Sequence, residues 1–408
     1  MSTTLPQAPF NIQLIETCYN LTHMKKILMT LLLFVILAVL SPRSALAQEG
    51  SGDDRPTVLC LPGVYHALPG DCLIYGPSAY LTRMAGNGIT FPLESLPIKA
   101  PDPSLTILPY TYGKVQTGPA PIFASLADAI EGKYPIRYLN TGFNYISYTD
   151  IQRDEKGRKY YRVGYNEWMR TEDVTGGLAT SNFQGIEFIV TPKNRFGWIL
   201  FPIETQKTPD FNAPYTGKQY ERWQVIQVYD IQEIDGFNWY LIGPDEWVDE
   251  RYISVVYPNS TPPDGVSGGR WIEINLFEQT VAVYENYQLV FATIMSSGVP
   301  GFWTRPGLFQ IYEKLESTPM TGAFEADRSD FYYLEDVPWT MYFDEARALH
   351  GAYWHTKLGY VQSHGCVNLS PGDSKWLFDW GQVGDWVYVW DPSGETPEDP
   401  SIYGSGGA

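Results

Sequence analysis

The sequence predicts a mainly β protein of several small domains with short helical additions. Apolar stretches are brief and bounded by turns, as in YRVGY, RWQVIQVYDI, WIEINL, TVAVYE and DWVYVW. Gly (37) and Pro (31) punctuate the 408 residues often enough to keep every such stretch short. Sustained 3.6-residue periodicity is scarce, with SLADAI and DSKWLFDW the best short helix candidates. Short strands separated by this turn chemistry are the signature of all-β domains.

From the start of the chain, Met24-Lys25-Lys26 precedes a 14-residue apolar run and then SPRSALA and Gln48. A basic start, a short apolar core and the small-x-small ending Ala45-Leu46-Ala47 form a secretory signal pattern, with Met24 as the expected start. The run is shorter than the about 20 apolar residues a membrane span needs. Residues 1–47 are therefore expected to be an extension plus signal peptide, an uncleaved anchor being the alternative. No later stretch is apolar enough to span a bilayer, so an exported, envelope-located chain with no membrane segment after cleavage is expected.

The first 47 residues carry +2 (Lys25, Lys26 and Arg43 against Glu16) out of a net −18, which leaves −20 for the rest. Nucleic acid and anionic lipid both reward basic patches, so neither is an expected partner. Of four cysteines, Cys18 lies ahead of the signal, and Cys60 and Cys72 flank the turn-rich LPGVYHALPGD. The expectation is a Cys60–Cys72 disulfide within a connecting segment, 48–105, which leaves Cys366 as an odd, reactive thiol.

A duplication follows. YYRVGYNEWMRTEDV (160–174) aligns without gaps with WYLIGPDEWVDERYI (239–253), pairing Tyr161 with Tyr240, Gly164 with Gly243 and Glu167-Trp168 with Glu246-Trp247. DIQ recurs at 150–152 and 230–232, and APIF (120–123) resembles APYT (213–216). Two strands, a Gly turn and a Trp per copy resemble bacterial SH3-like barrels, modules found beside cell-wall enzymes. That resemblance implies two such modules, 106–185 and 186–257, and contact with a wall polymer. Trp168 and Trp247 are read as core residues rather than a ligand platform. A Pro/Gly/Ser linker covers 258–269, a third domain 270–392, and a tail expected to be disordered 393–408.

Three of five histidines fall within LHGAYWHTKLGYVQSHGCVNL: His350, His355 and His364, around Cys366. Two chemistries are open to this set. A cysteine nucleophile needs a base, because a free thiol is only a few per cent ionised at neutral pH. Successive N–H groups beside it can hold an oxyanion. SPGD after the cysteine can start a helix, with Ser370 as N-cap, Pro371 at the first position and Asp373 in the first turn; its positive end would favour the thiolate. Zinc is the second chemistry, but the spacing matches none of the usual paired-ligand patterns, and no metal or other cofactor is expected.

HG at 350–351 followed by SHGCVN at 363–368 resembles the active-site signature of the L,D-transpeptidases, the YkuD-type domain. Upstream, WIEINLFEQTVAVYENYQLVFATIMSSGVPGFWTRPGLFQI is similar to that family's opening hairpin with its Gln279 turn, Ser-Ser-Gly and Thr-x-Pro-Gly-x-Phe segments. The resemblance implies a C-terminal β-sandwich that cross-links peptidoglycan stem peptides 3→3 through a cysteine acyl-enzyme, expelling terminal D-alanine. It implies Cys366 as nucleophile, His350 as base with His355 the rival, and the Gly351 carbonyl orienting His350. The Gly365 and Cys366 amides would hold the oxyanion. Ser363, His364, Asn368, Tyr342 and Trp354, with Trp339 beside them, would line the substrate groove. Asn368 stands where many members have Arg. An L,D-carboxypeptidase and a non-catalytic wall-binding protein are the alternatives.

Overall fold

Two alternating-apolar segments close together in sequence pair readily, and such hairpins build five sheets among the described residues. The computed structural model describes residues 82, 84–86, 89, 93–140, 142–323 and 331–403. The signal segment and Cys60 and Cys72 lie outside them.

The two repeats share one topology. In the first, Asn144–Tyr148, Thr111–Val115 and Val174–Gly176 lie side by side, opposite the order Pro135–Leu139, Ala120–Phe123, Glu167–Arg170, Lys159–Val163, Asp150–Arg153. In the second, Val225–Val228, Arg195–Ile199 and Ile253–Val256 face Tyr215–Tyr220, Ile203–Gln206, Glu246–Asp249, Phe237–Gly243, Asp230–Ile234. The hairpin registers agree as well: Tyr161 pairs with Met169 as Tyr240 pairs with Val248. One glycine is required at the same place in both. A Cβ on Gly113 would sit 2.8 Å from the Thr175 carbonyl oxygen, and one on Gly197 2.0 Å from that of Ser254. The APIF–APYT correspondence is corrected: strand Ala120–Phe123 has its counterpart in Ile203–Gln206, whereas APYT enters the next strand. Trp247 is buried and Trp168 packs on a cluster with Phe123 and Tyr160, so both are core residues.

The C-terminal domain is a two-sheet sandwich. One sheet runs Gln288–Ile294, Thr280–Glu285, Trp271–Asn275, Trp386–Trp390, Gly307–Gln310. The other runs Val367–Leu369, Arg347–Gly351, Tyr332–Asp344, with Glu313–Gly322 also paired to the last. Between them lies a core that includes Ile272, Ile274, Val283, Phe291, Met341, Leu349, Val367 and Val389. Helix Pro371–Trp380 closes one end as expected: Ser370 Oγ accepts the Asp373 N–H, and Pro371 occupies the first turn.

Neither sheet stops at the expected domain boundaries. Ile186–Phe188 and Ile98–Lys99 extend the first sheet beyond Gln288–Ile294, so the 185/186 boundary falls just before a strand of the C-terminal domain's sheet. Asn144–Tyr148 of the first repeat adds to the second sheet in parallel, pairing Asn144 with Tyr333 and Tyr145 with Leu334. Residues 393–403 of the tail carry local hydrogen bonds and one contact back to the C-terminal domain. Asp391 accepts the Ser393 and Thr396 N–H groups, and the Arg347 guanidinium lies 5.3 Å from the Tyr403 ring centre.

Candidate active site

The loop carrying Cys366 is held by polar groups that start from the opening hairpin. Gln279, at positive φ in the turn, donates to Ser297 Oγ at 2.7 Å and accepts the Ser297 N–H at 2.8 Å. Ser297 O then accepts the Ser363 N–H at 2.9 Å, and Ser296 exchanges backbone bonds with Asn368. Thr304 Oγ1 accepts from Gly298 N and donates to the Gly365 carbonyl at 2.9 Å. Ser363 Oγ donates to the Cys366 carbonyl at 2.5 Å. The Ser-Ser-Gly and Thr-x-Pro-Gly segments thus brace the cysteine loop from both sides.

His350 comes from the neighbouring strand. Arg347–Gly351 pairs in parallel with Val367–Leu369, setting His350 opposite Asn368, two residues beyond Cys366. Both His350 and Cys366 open onto one cavity of about 150 Å³, whose lining also includes His355, Ser363, His364, Asn368 and Trp354. The structure therefore gathers most of the predicted set. Two members are not in this lining: Trp339 packs on Phe378 of the helix, and Tyr342 stacks on Tyr312 within electrostatic reach of Cys366. Ser363 is a loop brace as well as a lining residue.

Burial controls the electrostatics. Cys366 is 5% exposed and His350 1% exposed. Burial pushes the thiol up to about 11, against smaller downward pulls from the Ala348 backbone and the Arg347 charge. It pushes His350 down to about 4, against the pull of the Gly351 carbonyl, and His355 also to about 4. The expected help from the helix end does not prevail, because three strand residues separate Cys366 from Ser370 and desolvation dominates. Burial thus favours the neutral form of both groups.

Two glycines have assignable reasons. A Cβ on Gly351 would lie 2.6 Å from Ser374 Oγ, so glycine lets the helix approach the His350 strand. The Gly351 carbonyl favours the charged His350 ring, yet Nδ1 has no hydrogen-bond partner, so it steers the ring loosely here. Gly365 has φ +115°, a conformation that glycine adopts without strain. Its N–H donates to Ser363 Oγ at 3.1 Å. In this ligand-free structure the amide expected to hold an oxyanion is therefore bonded within its own loop. Among the described residues no His/Cys/Asp/Glu cluster could hold a metal ion.

Sequence reading missed Phe143, Met320, Tyr332, Leu334 and Gln362, which complete the lining. Phe143 comes from the first repeat.

Residues 269–389 match the family model of the L,D-transpeptidase catalytic domain, YkuD. The C-terminal region is thus an L,D-transpeptidase catalytic domain. The chain is 28% identical over 172 residues to L,D-transpeptidase 1 of Mycobacterium tuberculosis, covering 38% of this chain and 65% of that protein, just under two thirds of its length. Among solved structures, the catalytic domain of an Enterococcus faecium L,D-transpeptidase is 27% identical, with 31% of this chain and all of that chain covered at TM-score 0.28. One from Stackebrandtia nassauensis is 27% identical, covering 32% of this chain and 60% of that one at TM-score 0.25. The fold described above rests on strand order and not on these superpositions.

Proposed function

We propose that this protein is an exported peptidoglycan L,D-transpeptidase that forms 3→3 cross-links. The observation that carries the reading is the shared cavity: the buried Cys366, in the loop just before strand Val367–Leu369, and the buried His350, on the adjacent strand Arg347–Gly351, both line it. As the donor stem peptide enters, Cys366 Sγ loses its proton to His350 and bonds the carbonyl carbon of the third residue. The Cys366 N–H stabilises the developing oxyanion. The bond to terminal D-alanine breaks, and His350 returns the proton to the leaving amine. An acceptor amine then attacks the thioester, giving its proton through His350 to the departing Cys366 sulfur. The repeats are read as SH3-like modules; their common strand order and three-plus-five sheet division support this.

The test is a stem tetrapeptide donor with an amine acceptor, followed by mass spectrometry for cross-linked dimer and free D-alanine. Wild type should make both, while Cys366→Ala makes neither. His350→Ala should lose about 10³-fold in kcat and His355→Ala less than tenfold. Tripeptide without dimer would replace the transpeptidase by a carboxypeptidase, and activity in Cys366→Ala would overturn the nucleophile.

A further inference from the structure

The cavity wall facing the reacting groups is not made by the catalytic domain alone. Phe143 precedes the strand Asn144–Tyr148, and its carbonyl accepts the Tyr333 N–H at 3.2 Å. The next two residues pair with Tyr333 and Leu334, so the backbone that carries Phe143 is held at the cavity. Its ring stands edge-on to Trp354 at 6.3 Å, to Tyr332 at 6.5 Å and to Tyr145 at 5.1 Å. Behind it, Tyr112 stacks on Tyr353 at 3.5 Å, and its hydroxyl donates to the Asp336 carbonyl. Met320, Tyr332 and Leu334 join Tyr145 and Tyr353 in one apolar cluster continuous with that wall.

Phe143 is nevertheless 40% exposed. A large aromatic ring kept open to a cleft, beside a nucleophile and on a fixed backbone, is poised to lose that exposure to a bound ligand.

We propose that Phe143 is a specificity-determining residue supplied by the first repeat, packing against the methylene-bearing side of the donor peptide next to the bond that Cys366 attacks. The assignment of that ligand rests on the transpeptidase reading; the placement of the wall does not. The repeat is then part of the active site rather than a tether beside it.

The experiment uses the full mature chain and the variants Phe143→Ala, Phe143→Leu and Tyr165→Ala, the last a 95%-exposed residue of the same repeat. Cys366 modification by N-phenylmaleimide and by iodoacetamide is timed by peptide mapping, alongside donor KM and kcat and a melting curve. Phe143→Ala should lower the phenylmaleimide-to-iodoacetamide rate ratio about fivefold and raise donor KM about tenfold, with kcat changed less than threefold. Phe143→Leu should recover part of both, and Tyr165→Ala should match wild type. An unchanged rate ratio, or an unchanged KM, overturns the proposal. So does a fall of kcat and both modification rates together with melting temperature, which marks a purely structural role. If wild type fails to turn over the donor, the transpeptidase reading falls while the rate ratio still decides the wall.

Discussion

The two repeats have one topology and opposite employment. In the first, the outer strand Asn144–Tyr148 continues into the catalytic sheet and carries Phe143 to the cavity. Its counterpart, Val225–Val228, ends its three-stranded sheet, and Trp223, which stands where Phe143 does, packs on Phe183 at 5.3 Å. The second repeat instead supports the loop between His350 and Cys366 from outside: Arg222 donates to the Thr356 carbonyl, and Phe201 meets Tyr360 at 5.4 Å. Each is fastened by a buried carboxylate of the catalytic domain. Glu335 accepts the Ser147 N–H, whereas Glu278 accepts from Tyr240, Tyr257 and the Val255 N–H. A duplicated module can keep its core and diverge only at the edge that meets its neighbour.

That contrast can be broken by mutation. Glu278→Ala strands three donors in or near the core and should cost about 3–5 kcal/mol in denaturant melts. Its effect on the kinetics of the folded enzyme should be small; a loss of kcat without loss of stability would place the second repeat in the site after all.

The next largest effect is in pH. Burial lowers His350 to about 4, so between its ordinary 6.5 and 4 the unfolded chain takes a proton that the folded chain refuses. Wild type should therefore lose up to about 3 kcal/mol relative to His350→Gln as pH falls through that window. Glu278 acts with the opposite sign, since burial raises it to about 7. Its advantage over Glu278→Gln should be full below pH 4.5 and shrink as pH rises through 7. Parallel slopes for the two variants would contradict both assignments.

The glycine pair gives a smaller effect. Gly197→Ala pushes a Cβ to 2.0 Å from a backbone oxygen and Gly113→Ala to 2.8 Å, with the Val174 side chain at 2.5 Å as a yielding neighbour. Calorimetry should show about 3 kcal/mol lost for Gly197→Ala and nearer 1–2 kcal/mol for Gly113→Ala. The reverse order would mean that the second repeat is the more plastic copy. Glu335→Gln keeps an acceptor for Ser147 and should cost least, about 1 kcal/mol.

Local features were legible in the sequence. Ser370, Pro371 and Asp373 announce the helix because capping chemistry acts within four residues. The odd Cys366 and clustered histidines announce the site because reactivity needs those groups in contact range. The Phe143 wall was not legible, since it depends on a parallel pairing between segments some 190 residues apart. Nor was the desolvation of Cys366. A helix start nearby argues for thiolate, but only the folded packing shows that desolvation outweighs it. The bond from the Gly365 amide to Ser363 Oγ was likewise not legible.

Everything proposed for this cavity depends on Cys366 acting as its nucleophile. Intact-mass spectrometry of the mature protein after incubation with a carbapenem tests it most directly. Wild type should gain one inhibitor mass, mapped to the peptide containing Cys366, and Cys366→Ala should gain none. No adduct on wild type, or an equal adduct on the variant, would contradict the account.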